Sequence, residues 1–339
     1  MRVTAVPVTE LGAAELERWR AIQAAHEPSS SPYLAPEFAL AAAAEGRPVR
    51  VGVMEDGAGI VGFFPHERGR YGMGSPAGGL LSLGHGVIAH PDVRWSPREL
   101  LRACGLVRWD FAHLVDPGGP MGPYSRLRLD NPLIDVSRGF DCYLAERRRE
   151  LVVTTLRKAR KAERELGPLR FEARSSDTCA LDALMRWKSV QYRAIGTRDR
   201  FALDWSVRLV RRIHATRSAD FEGLLSTLHI GDDLAAAHIG IRLGRVWSYW
   251  FPAYDAALGR YSPGVILLLR MAESAEALGA REIQLGAGRE AYKWHLANRS
   301  RPIGEGRVET PSPGLLVLKA ARTAGRVRQS VAAAVRPGA

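Results

Sequence analysis

Hydrophobic and polar residues in the first half of the chain follow patterns that predict helices, a hairpin and a further strand. Apolar residues recur at helical spacing in ELGAAELERWRAIQAA, and Pro32 separates this run from a second helical pattern. Two β-rich segments are joined by Glu55-Asp56-Gly57, a strong turn signal. The predicted elements are helices over 10–25 and 35–46, a hairpin over 48–73, a helix near 96–105 and a strand near 108–115.

The second half repeats this order of elements. Its hairpin turns at Gly231-Asp232-Asp233, and the segment LHIGDDLAAAHIGIR resembles VGVMEDGAGIVGFFP of the first half. The predicted elements are a strand over 169–174, helices over 179–196 and 204–217, a hairpin over 223–255, a helix from Pro263 and a strand over 281–286. We therefore predict an internal duplication, with one domain over 1–145, a second over 146–310 and a basic tail over 311–339.

Composition indicates a folded globular protein. The chain has 339 residues, of which 46% are hydrophobic and 25% charged. The longest apolar runs are far shorter than the roughly 20 residues of a membrane-spanning helix, and the N-terminus lacks the apolar core of a signal peptide. We expect a cytoplasmic protein. The three cysteines are odd in number and far apart, which predicts neither a disulfide framework nor a metal site.

A formal net charge of +12 predicts attraction to polyanions or phosphorylated small molecules. One basic cluster, over 146–167, has apolar or small residues at Leu151, Thr155 and Ala159 on one helical face. Acidic residues interrupt it, which favours a solvated amphipathic helix over a nucleic-acid surface. The tail over 311–339 has five basic residues and no acid up to its end, and could contact an acidic surface.

The stretch over 254–279, YDAALGRYSPGVILLLRMAESAEALG, contains an unusual helix start. The first turn after Pro263-Gly264 has no acidic residue, although a helix N-terminus bears unpaired N–H groups and positive dipole charge. We expect the amides of residues 264–267 to point outward together and to bind a ligand phosphate, with Arg260 as a salt partner. The Walker and G-x-G-x-x-G patterns are absent here. A plain Pro-Gly helix start with a surface arginine is the alternative.

Several segments together resemble the CelD/BcsL-like acetyltransferases, tandem members of the GNAT superfamily that are distantly related to the Fem-type aminoacyl transferases. They are SPYLAPEFALAA, GAGIVGFFP, RWKSVQYRAIGTRDRF and GRYSPGVILLLRMAESAEALGAREIQLGAGREAYKWHL. The most specific part is the Tyr261-Ser262-Pro263-Gly264 helix start, followed by Gly286, Gly288 and the Tyr292-Lys293 pair. The resemblance covers most of residues 18–301.

The resemblance implies an α/β fold of two tandem GNAT-like domains, each with a twisted mixed sheet flanked by helices. It also implies that the pyrophosphate of an acyl-coenzyme A, acetyl-coenzyme A in the first instance, rests on the loop before the long helix. The donor-site residues implied are Arg260, Tyr261, Ser262, Pro263, Gly264 and Val265. This loop departs from the superfamily pattern at Pro263 and Val265. We expect the first half, which lacks a glycine loop at the matching place, to be structural or to shape the acceptor site.

Transfer of an acyl group to an amine needs a base, a group that stabilises the oxyanion and an acid for the leaving thiolate. Tyr292 is our candidate for the acid, and the resemblance to Fem-type enzymes implies that Lys293 steadies the carbonyl oxygen. Asp255, Glu290 and His295 are candidate bases, although each has a structural alternative: a loop cap, an ion pair and simple packing. The resemblance places Gln191, Tyr192 and Arg193 on the acceptor side, and we also expect His295 to bind the substrate.

We therefore expect an N-acyltransferase that uses an acyl-coenzyme A, requires no metal and acts on an amine of a small molecule or saccharide precursor. One alternative is a Fem-type transferase that takes its aminoacyl group from tRNA, which the positive charge favours and the lack of a long inserted helical hairpin disfavours. A second alternative is a catalytically silent GNAT-like scaffold in polysaccharide biosynthesis.

Overall fold

The structure is a computed structural model that describes residues 1–26, 30–147, 150–288 and 290–311. Thirteen strands form one mixed sheet. The strands are β1 Arg2–Pro7, β2 Val49–Asp56, β3 Gly59–Arg68, β4 Met73–Pro76, β5 Ile88–Ala89, β6 Arg108–Leu114, β7 Ser125–Asp135, β8 Leu169–Glu172, β9 Phe221–Ile230, β10 Asp233–Leu243, β11 Val246–Tyr254, β12 Glu282–Gln284 and β13 Arg299–Glu309. The helices are α1 Ala13–Ala25, α2 Pro36–Ala44, α3 Pro97–Ala103, α4 Phe140–Arg147, α5 Glu150–Leu166, α6 Thr178–Ala194, α7 Asp204–Ala215, α8 Pro263–Ser274 and α9 Ala291–Leu296.

The two halves of the sheet have the same arrangement of strands when each half is followed from its edge to the centre. Its order is β1-β2-β3-β4-β6-β13-β7-β12-β11-β10-β9-β8, with β5 beside β3. On each side an antiparallel hairpin leads to a parallel pair, β4 with β6 in the first half and β11 with β12 in the second. The final strand of each half then lies in the sheet of the other half: β13 pairs with β6, and β7 pairs with β12. This symmetry supports the predicted duplication.

Both predicted hairpins are confirmed. Asp56 pairs with Gly59, and the Asp56 carboxylate accepts the amide of Ala58 at 2.8 Å, which fixes the first turn. In the second hairpin Ile230 pairs with Asp233, and Gly231 has φ of 61°, a left-handed conformation that favours glycine. The helices and strands predicted from periodicity are also present, with ends shifted by a few residues.

Apolar cores lie on both faces of the sheet, and one of them is continuous between the halves. Helices α1, α2, α6 and α7 contribute buried residues to this shared core, in which Trp19 stacks on Phe63 at 5.0 Å. Two buried polar contacts join the halves: the Tyr33 hydroxyl lies 2.7 Å from the Ser248 hydroxyl, and the Trp250 indole N–H donates to the Leu81 carbonyl at 2.8 Å. Each satisfied pair contributes about 1 kcal/mol to stability.

Helices α5, α8 and α9 pack on the opposite face of the second half. The basic helix α5 is amphipathic as predicted, with Val152, Thr155 and Ala159 buried and basic residues such as Arg157 and Arg160 exposed. It packs against α8, α9 and the turn that precedes α8. The basic surface therefore borders the predicted donor loop. The segment predicted as one helix from residue 146 contains the end of α4 and the whole of α5.

The sequence interpretation missed five strands, β1, β4, β5, β7 and β13, and two of them, β7 and β13, are the exchanged strands. Since β13 lies between β6 and β7, each predicted domain contains a strand that completes the sheet of the other. The boundary at 145/146 stays a prediction. The predicted basic tail lies outside the described residues, apart from Pro311. In the described ranges no helix is long and apolar enough to cross a bilayer.

We expect residues 1–145, expressed alone, not to fold stably. In this fragment β6 lacks β13, and β7 lacks both of its neighbours, so backbone groups that the sheet satisfies would be left unpaired. Circular dichroism and a thermal melt test this, with residues 1–311 as the control that should unfold cooperatively. A cooperative melt of the short fragment would show that the exchanged strands are dispensable.

Candidate active site

A tight turn leads from the end of β11 into α8. The Asp255 carboxylate accepts the amide of Ala257 at 2.9 Å and begins a 3-10 turn over Ala256–Tyr261. Ser262 follows in the left-handed region, with φ of 57° and ψ of 51°. For a residue other than glycine this conformation costs about 1–2 kcal/mol, and such strain concentrates at functional sites. The local backbone conformation is thus held by its surroundings.

The amides at the start of α8 are less open than the sequence suggests. The N–H groups of Val265 and Ile266 both donate to the Ser262 carbonyl, at 3.0 and 3.2 Å. The prediction that the amides of residues 264–267 point outward together is therefore wrong, because the carbonyl of the residue that precedes a helix ordinarily accepts the first hydrogen bonds of that helix. No side chain caps the helix. Among the described residues the Gly264 amide makes no hydrogen bond, so it is the group left for a ligand.

Gly264 is also closely packed. A Cβ atom added there would lie 3.3 Å from the Tyr254 ring, which is 40% exposed at the end of β11. Without a side chain at this position, the ring and the helix start approach each other, and Gly264 itself is half-buried. Pro263 presets the first helical residue and is buried, while Val265 is half-buried and packs against the core of α5, α8 and α9.

A lysine from α5 supplies the positive charge at this helix start. The Lys158 ammonium donates to the Ser262 hydroxyl at 2.8 Å. A cation at the positive end of a helix dipole is unfavourable unless an anion offsets it. No acidic residue lies in the first turn of α8. Lys158 and the Gly264 amide are therefore the candidate groups for binding an anion here.

Arg260 and Tyr261 face a different partner. The buried Tyr261 hydroxyl donates to the Glu165 carboxylate at 2.7 Å, and this hydrogen bond lowers the pKa of Glu165. The Arg260 guanidinium donates to the same hydroxyl and lies 4.0 Å from Glu165. Arg260 is exposed, with 67% of its side chain accessible. Tyr261 thus anchors the loop to α5, and Arg260 lies at its rim.

The strands β11 and β12 separate next to this loop. They pair only at Val246–Glu282, Trp247–Ile283 and Ser248–Gln284. Beyond these pairs β11 continues to Tyr254, whereas β12 ends and the chain turns away through Gly286, whose φ of 75° favours glycine. A wedge therefore opens between the two strands on the side where α8 begins. An extended ligand arm that entered such a wedge would bond to the backbone of β11 that β12 leaves unpaired.

The short helix α9 places three of the predicted catalytic residues beside this wedge. Glu290 precedes its first turn, and the Lys293 ammonium lies 3.4 Å from the Glu290 carboxylate. The backbone of Gly288 runs beneath this ion pair, since a Cβ atom added there would lie 2.0 Å from the Glu290 carboxylate. Tyr292 lies on the same helix and interacts with Tyr249 of β11. These contacts join α9 to the open edge of β11.

Burial controls protonation at α9. It raises the pKa of Tyr292, as does the nearby negative charge of Glu290, so the phenol keeps its proton at neutral pH. Burial lowers the pKa of Lys293, and the Glu290 charge opposes this change. Only 8% of Lys293 is accessible, so this lysine is buried within the candidate site. A protonated phenol and a confined ammonium suit an acid and an oxyanion stabiliser.

The predicted acceptor-side residues lie at the end of α6. Gln191 and Tyr192 are half-buried; Arg193 is exposed and pairs with Asp199 at 3.5 Å. The Tyr192 ring lies beneath two cations, the Lys188 ammonium at 5.5 Å and the Arg200 guanidinium at 5.8 Å. His295 is exposed on α9. Asp255 caps the loop before α8 and is the one predicted base that belongs to a different element from α9.

The sequence interpretation missed Lys158, Lys188 and Arg200. Lys188 interacts electrostatically with both Lys293 and Glu290, which brings α6 and α9 to one site. His113 of β6 interacts with Arg200 and Lys293, so the first half borders the same site. One signal was available in the sequence: only five of the 48 basic residues are lysines, at positions 158, 161, 188, 293 and 319. Three of those five lie at the donor loop or beside α9.

Comparison with known families gives a match in the second half of the chain. Residues 147–294 match the family described as Acetyltransferase (GNAT) domain. This match to a GNAT domain supports an acyltransferase. The matched range runs from α5 into α9, so it contains the predicted donor loop, the strand wedge and the predicted catalytic residues. The comparison with curated proteins gave no match.

Solved structures match the whole fold at low sequence identity. FemX has a TM-score of 0.58 at 10% identity, covering 91% of this chain and 96% of its own. The C-terminal domain (DUF2156) of a putative lysylphosphatidylglycerol synthetase from Agrobacterium fabrum gives 0.55 at 14%, covering 91% and 96%. A tandem GNAT protein from the clavulanic acid biosynthesis pathway gives 0.51 at 12%, covering 92% and 99%. The mixed α/β fold with GNAT-like halves is thereby confirmed.

We expect Lys158→Met to weaken the binding of coenzyme A about tenfold, since a hydrogen bond to a charged group contributes about 1.5–3 kcal/mol. Lys161→Met is the matched control, because Lys161 lies on the same helix but pairs with Glu165 at 3.8 Å. Isothermal titration calorimetry at two salt concentrations measures both. Equal affinities for the two variants would remove Lys158 from the donor site.

Proposed function

We propose that this chain is an N-acyltransferase that moves an acyl group, acetyl in the simplest case, from acyl-coenzyme A to an amine. The arrangement that best supports this proposal is the strand wedge between β11 and β12, with a basic, uncapped helix start at one end and Tyr292 and Lys293 at the other. The donor's diphosphate would bind Lys158 and the Gly264 amide. Its pantetheine arm would then lie in the wedge and direct the thioester toward α9.

The reaction requires the amine to be neutral when it attacks. The acceptor ammonium loses one proton to a base, its nitrogen bonds to the thioester carbon, and the negative charge that develops on the oxygen lies near the Lys293 ammonium. The carbon–sulfur bond then breaks, and the leaving thiolate takes the proton of Tyr292. The new amide loses the second proton of the former ammonium, and Tyr292 regains its own from solvent. Products are the amide, free coenzyme A and one proton.

Glu290 is the base that the geometry favours. Its carboxylate is 54% exposed, lies two residues before Tyr292 and pairs with Lys293, so it belongs to the same site as the proposed acid. The carboxylate of Asp255 already accepts the Ala257 amide in the turn before α8. His295 is exposed at the far end of α9 and makes no hydrogen bond to the other site residues in the described part of the chain.

The acceptor would approach from the side of α6. Gln191, Tyr192 and Arg193 lie there, and His113 shows that the first half borders the same space. This arrangement supports the expectation that the first half shapes the acceptor site. It fits an amine of a small molecule or saccharide precursor, as the resemblance to CelD/BcsL-like acetyltransferases implies.

The donor class is tested by binding. We expect coenzyme A to bind with a modest salt dependence, because few phosphates contact the protein. Bulk uncharged tRNA, titrated under the same conditions, should bind weakly and lose affinity steeply with salt. Tight tRNA binding together with no measurable coenzyme A binding would favour an aminoacyl-tRNA donor, as in the Fem-type alternative. Binding of neither would favour the scaffold alternative.

We expect Tyr292→Phe to lower kcat by about 100-fold or more, with coenzyme A affinity changed less than threefold, because a positioned acid contributes about 10²–10⁴ to the rate. Release of coenzyme A, measured with a thiol reagent, gives the rate. The matched control is Tyr71→Phe, which removes the hydroxyl of an exposed tyrosine in the first half. An unchanged kcat in Tyr292→Phe would end the role of Tyr292 as the acid.

A further inference from the structure

Lysine is rare in this chain and concentrated at the proposed site. Arginine supplies 43 of the 48 basic residues, and Lys158, Lys188 and Lys293 account for three of the five lysines. An ammonium is a compact point charge that loses its proton far more readily than a guanidinium when buried. Lys158 has a role at the donor loop. Lys188, which no part of the proposed transfer reaction uses, needs another explanation.

The charges around Lys188 are mainly positive. The groups that interact with its ammonium are Lys293, Arg200 and Glu290, of which only Glu290 is negative. Glu290 is already paired with Lys293 at 3.4 Å. Lys188 donates to the neutral side-chain oxygen of Gln191 at 3.3 Å and lies over the Tyr192 ring. Arg200 lies over the same ring and forms no ion pair with any described residue.

Three cations that share one carboxylate repel one another, and burial increases the cost. This repulsion affects the pKa of Lys188. Burial, followed by the charge of Lys293, lowers that pKa to about 8. His113, on the side of the first half, has its pKa lowered to about 4 by burial and by Arg200 and Lys293. His113 is therefore neutral at physiological pH and does not add to the repulsion. A bound anion would offset the excess positive charge of Lys188, Arg200 and Lys293.

A cavity adjoins this cluster. It has a volume of about 730 Å³ and is lined by residues of both halves, including His85, Arg126 and Arg198. His85 meets the His113 ring edge-on at 5.5 Å, which connects the cavity to the cluster. Arg126 and Arg198 form no ion pair within the described ranges. The cavity wall also has two acidic residues, Asp110, which is paired with Arg108, and Glu305, so its four arginines outnumber its acids. The cavity is large enough for a small molecule and is also basic.

We propose that the acceptor amine bears an anionic group, a carboxylate or a phosphate, and that Lys188 and Arg200 bind it beside Tyr192. This inference rests on the proposed function, because it concerns the second substrate of that reaction. The anion would lie between the two cations, and the amine would point toward Glu290 and the thioester. Lys188 and Arg200 would thus select amines by a charge that takes no part in the transfer.

The competing role for Lys188 is that of the general base, since an amine with a pKa near the working pH accepts protons well. The two roles predict different pH dependences. The ratio of kcat/KM for an anionic acceptor to that for its neutral counterpart largely removes the titration that the two acceptor amines share. Anion binding needs the protonated Lys188 ammonium, so this ratio should fall as the pH rises through about 8. A base serves both acceptors alike, so the ratio would stay constant over the same range.

The first experiment needs no acceptor and tests anion binding directly. Reductive methylation with ¹³C-formaldehyde labels the lysines and the N-terminus, and Lys188→Arg assigns the Lys188 signal by its loss. The pH titration of that signal is followed with and without inorganic phosphate at constant ionic strength. We expect phosphate to raise the pKa of Lys188 by about one unit or more, as an opposite charge nearby does. The Lys161 signal is the internal control, and equal shifts at the two lysines would overturn the proposal.

The second experiment tests selectivity in the reaction with acetyl-coenzyme A. Matched amines that differ only in charge are compared: β-alanine with β-alaninamide, and glucosamine 6-phosphate with glucosamine. We expect at least one anionic member to exceed its neutral counterpart about tenfold or more in kcat/KM, and Lys188→Met to reduce that ratio at least fivefold while Lys161→Met does not. A charge-independent kcat/KM, or a ratio of anionic to neutral kcat/KM that does not fall as the pH rises through about 8, would overturn the proposal.

The two experiments separate this proposal from the function it depends on. If no amine is acetylated but phosphate still shifts the Lys188 signal alone, the transferase proposal fails and the anion site stands. If amines are acetylated without regard to charge and phosphate leaves Lys188 unchanged, the transferase proposal stands and the anion site fails.

Discussion

The brief parallel pairing of β11 with β12 is the constraint on which the candidate site depends. Three residue pairs hold the strands together, and then β11 runs on alone while β12 ends. An unpaired strand edge inside a sheet is costly unless another chain or a ligand bonds to it. The start of α8 lies at one end of the wedge and α9 at the other, because these helices follow β11 and β12 in the chain. Donor and catalytic groups are thereby brought together by strand geometry.

Charge placement follows from the same geometry. Helix α5 packs over the donor loop, so one lysine of its basic face reaches the Ser262 hydroxyl while the other basic residues remain in solvent. The ends of α6 and α9 approach the opposite end of the wedge, where the charges of Lys188 and Lys293 interact. In our proposals, part of the surplus of positive charge in the sequence forms two local sites, each suited to a different anion. The inter-half core and the exchanged strands hold these elements at fixed positions.

Periodicity predicted most helices and both hairpins, because apolar spacing reports directly on which face of an element is buried. It did not predict β7 and β13, whose partners lie in the other half of the chain: SRLRLDNPLID and RSRPIGEGRVE contain prolines, glycines and many charges, and only sheet order reveals them as strands. The α8 start was located correctly, but its amide geometry was not, because the prediction left out the first intrahelical hydrogen bonds, which the Ser262 carbonyl accepts. Lys188 and Arg200 were missed because their significance arises only when α6, β6 and α9 meet.

A crystal structure with coenzyme A bound tests the central claim most directly, since that claim is a statement about position. The account predicts the diphosphate at the start of α8, within hydrogen-bond distance of the Gly264 amide and the Lys158 ammonium, and the pantetheine arm between β11 and β12 with its sulfur toward Tyr292. Coenzyme A bound elsewhere, or a wedge closed by the protein's own side chains while the ligand is present at saturating concentration, would contradict it.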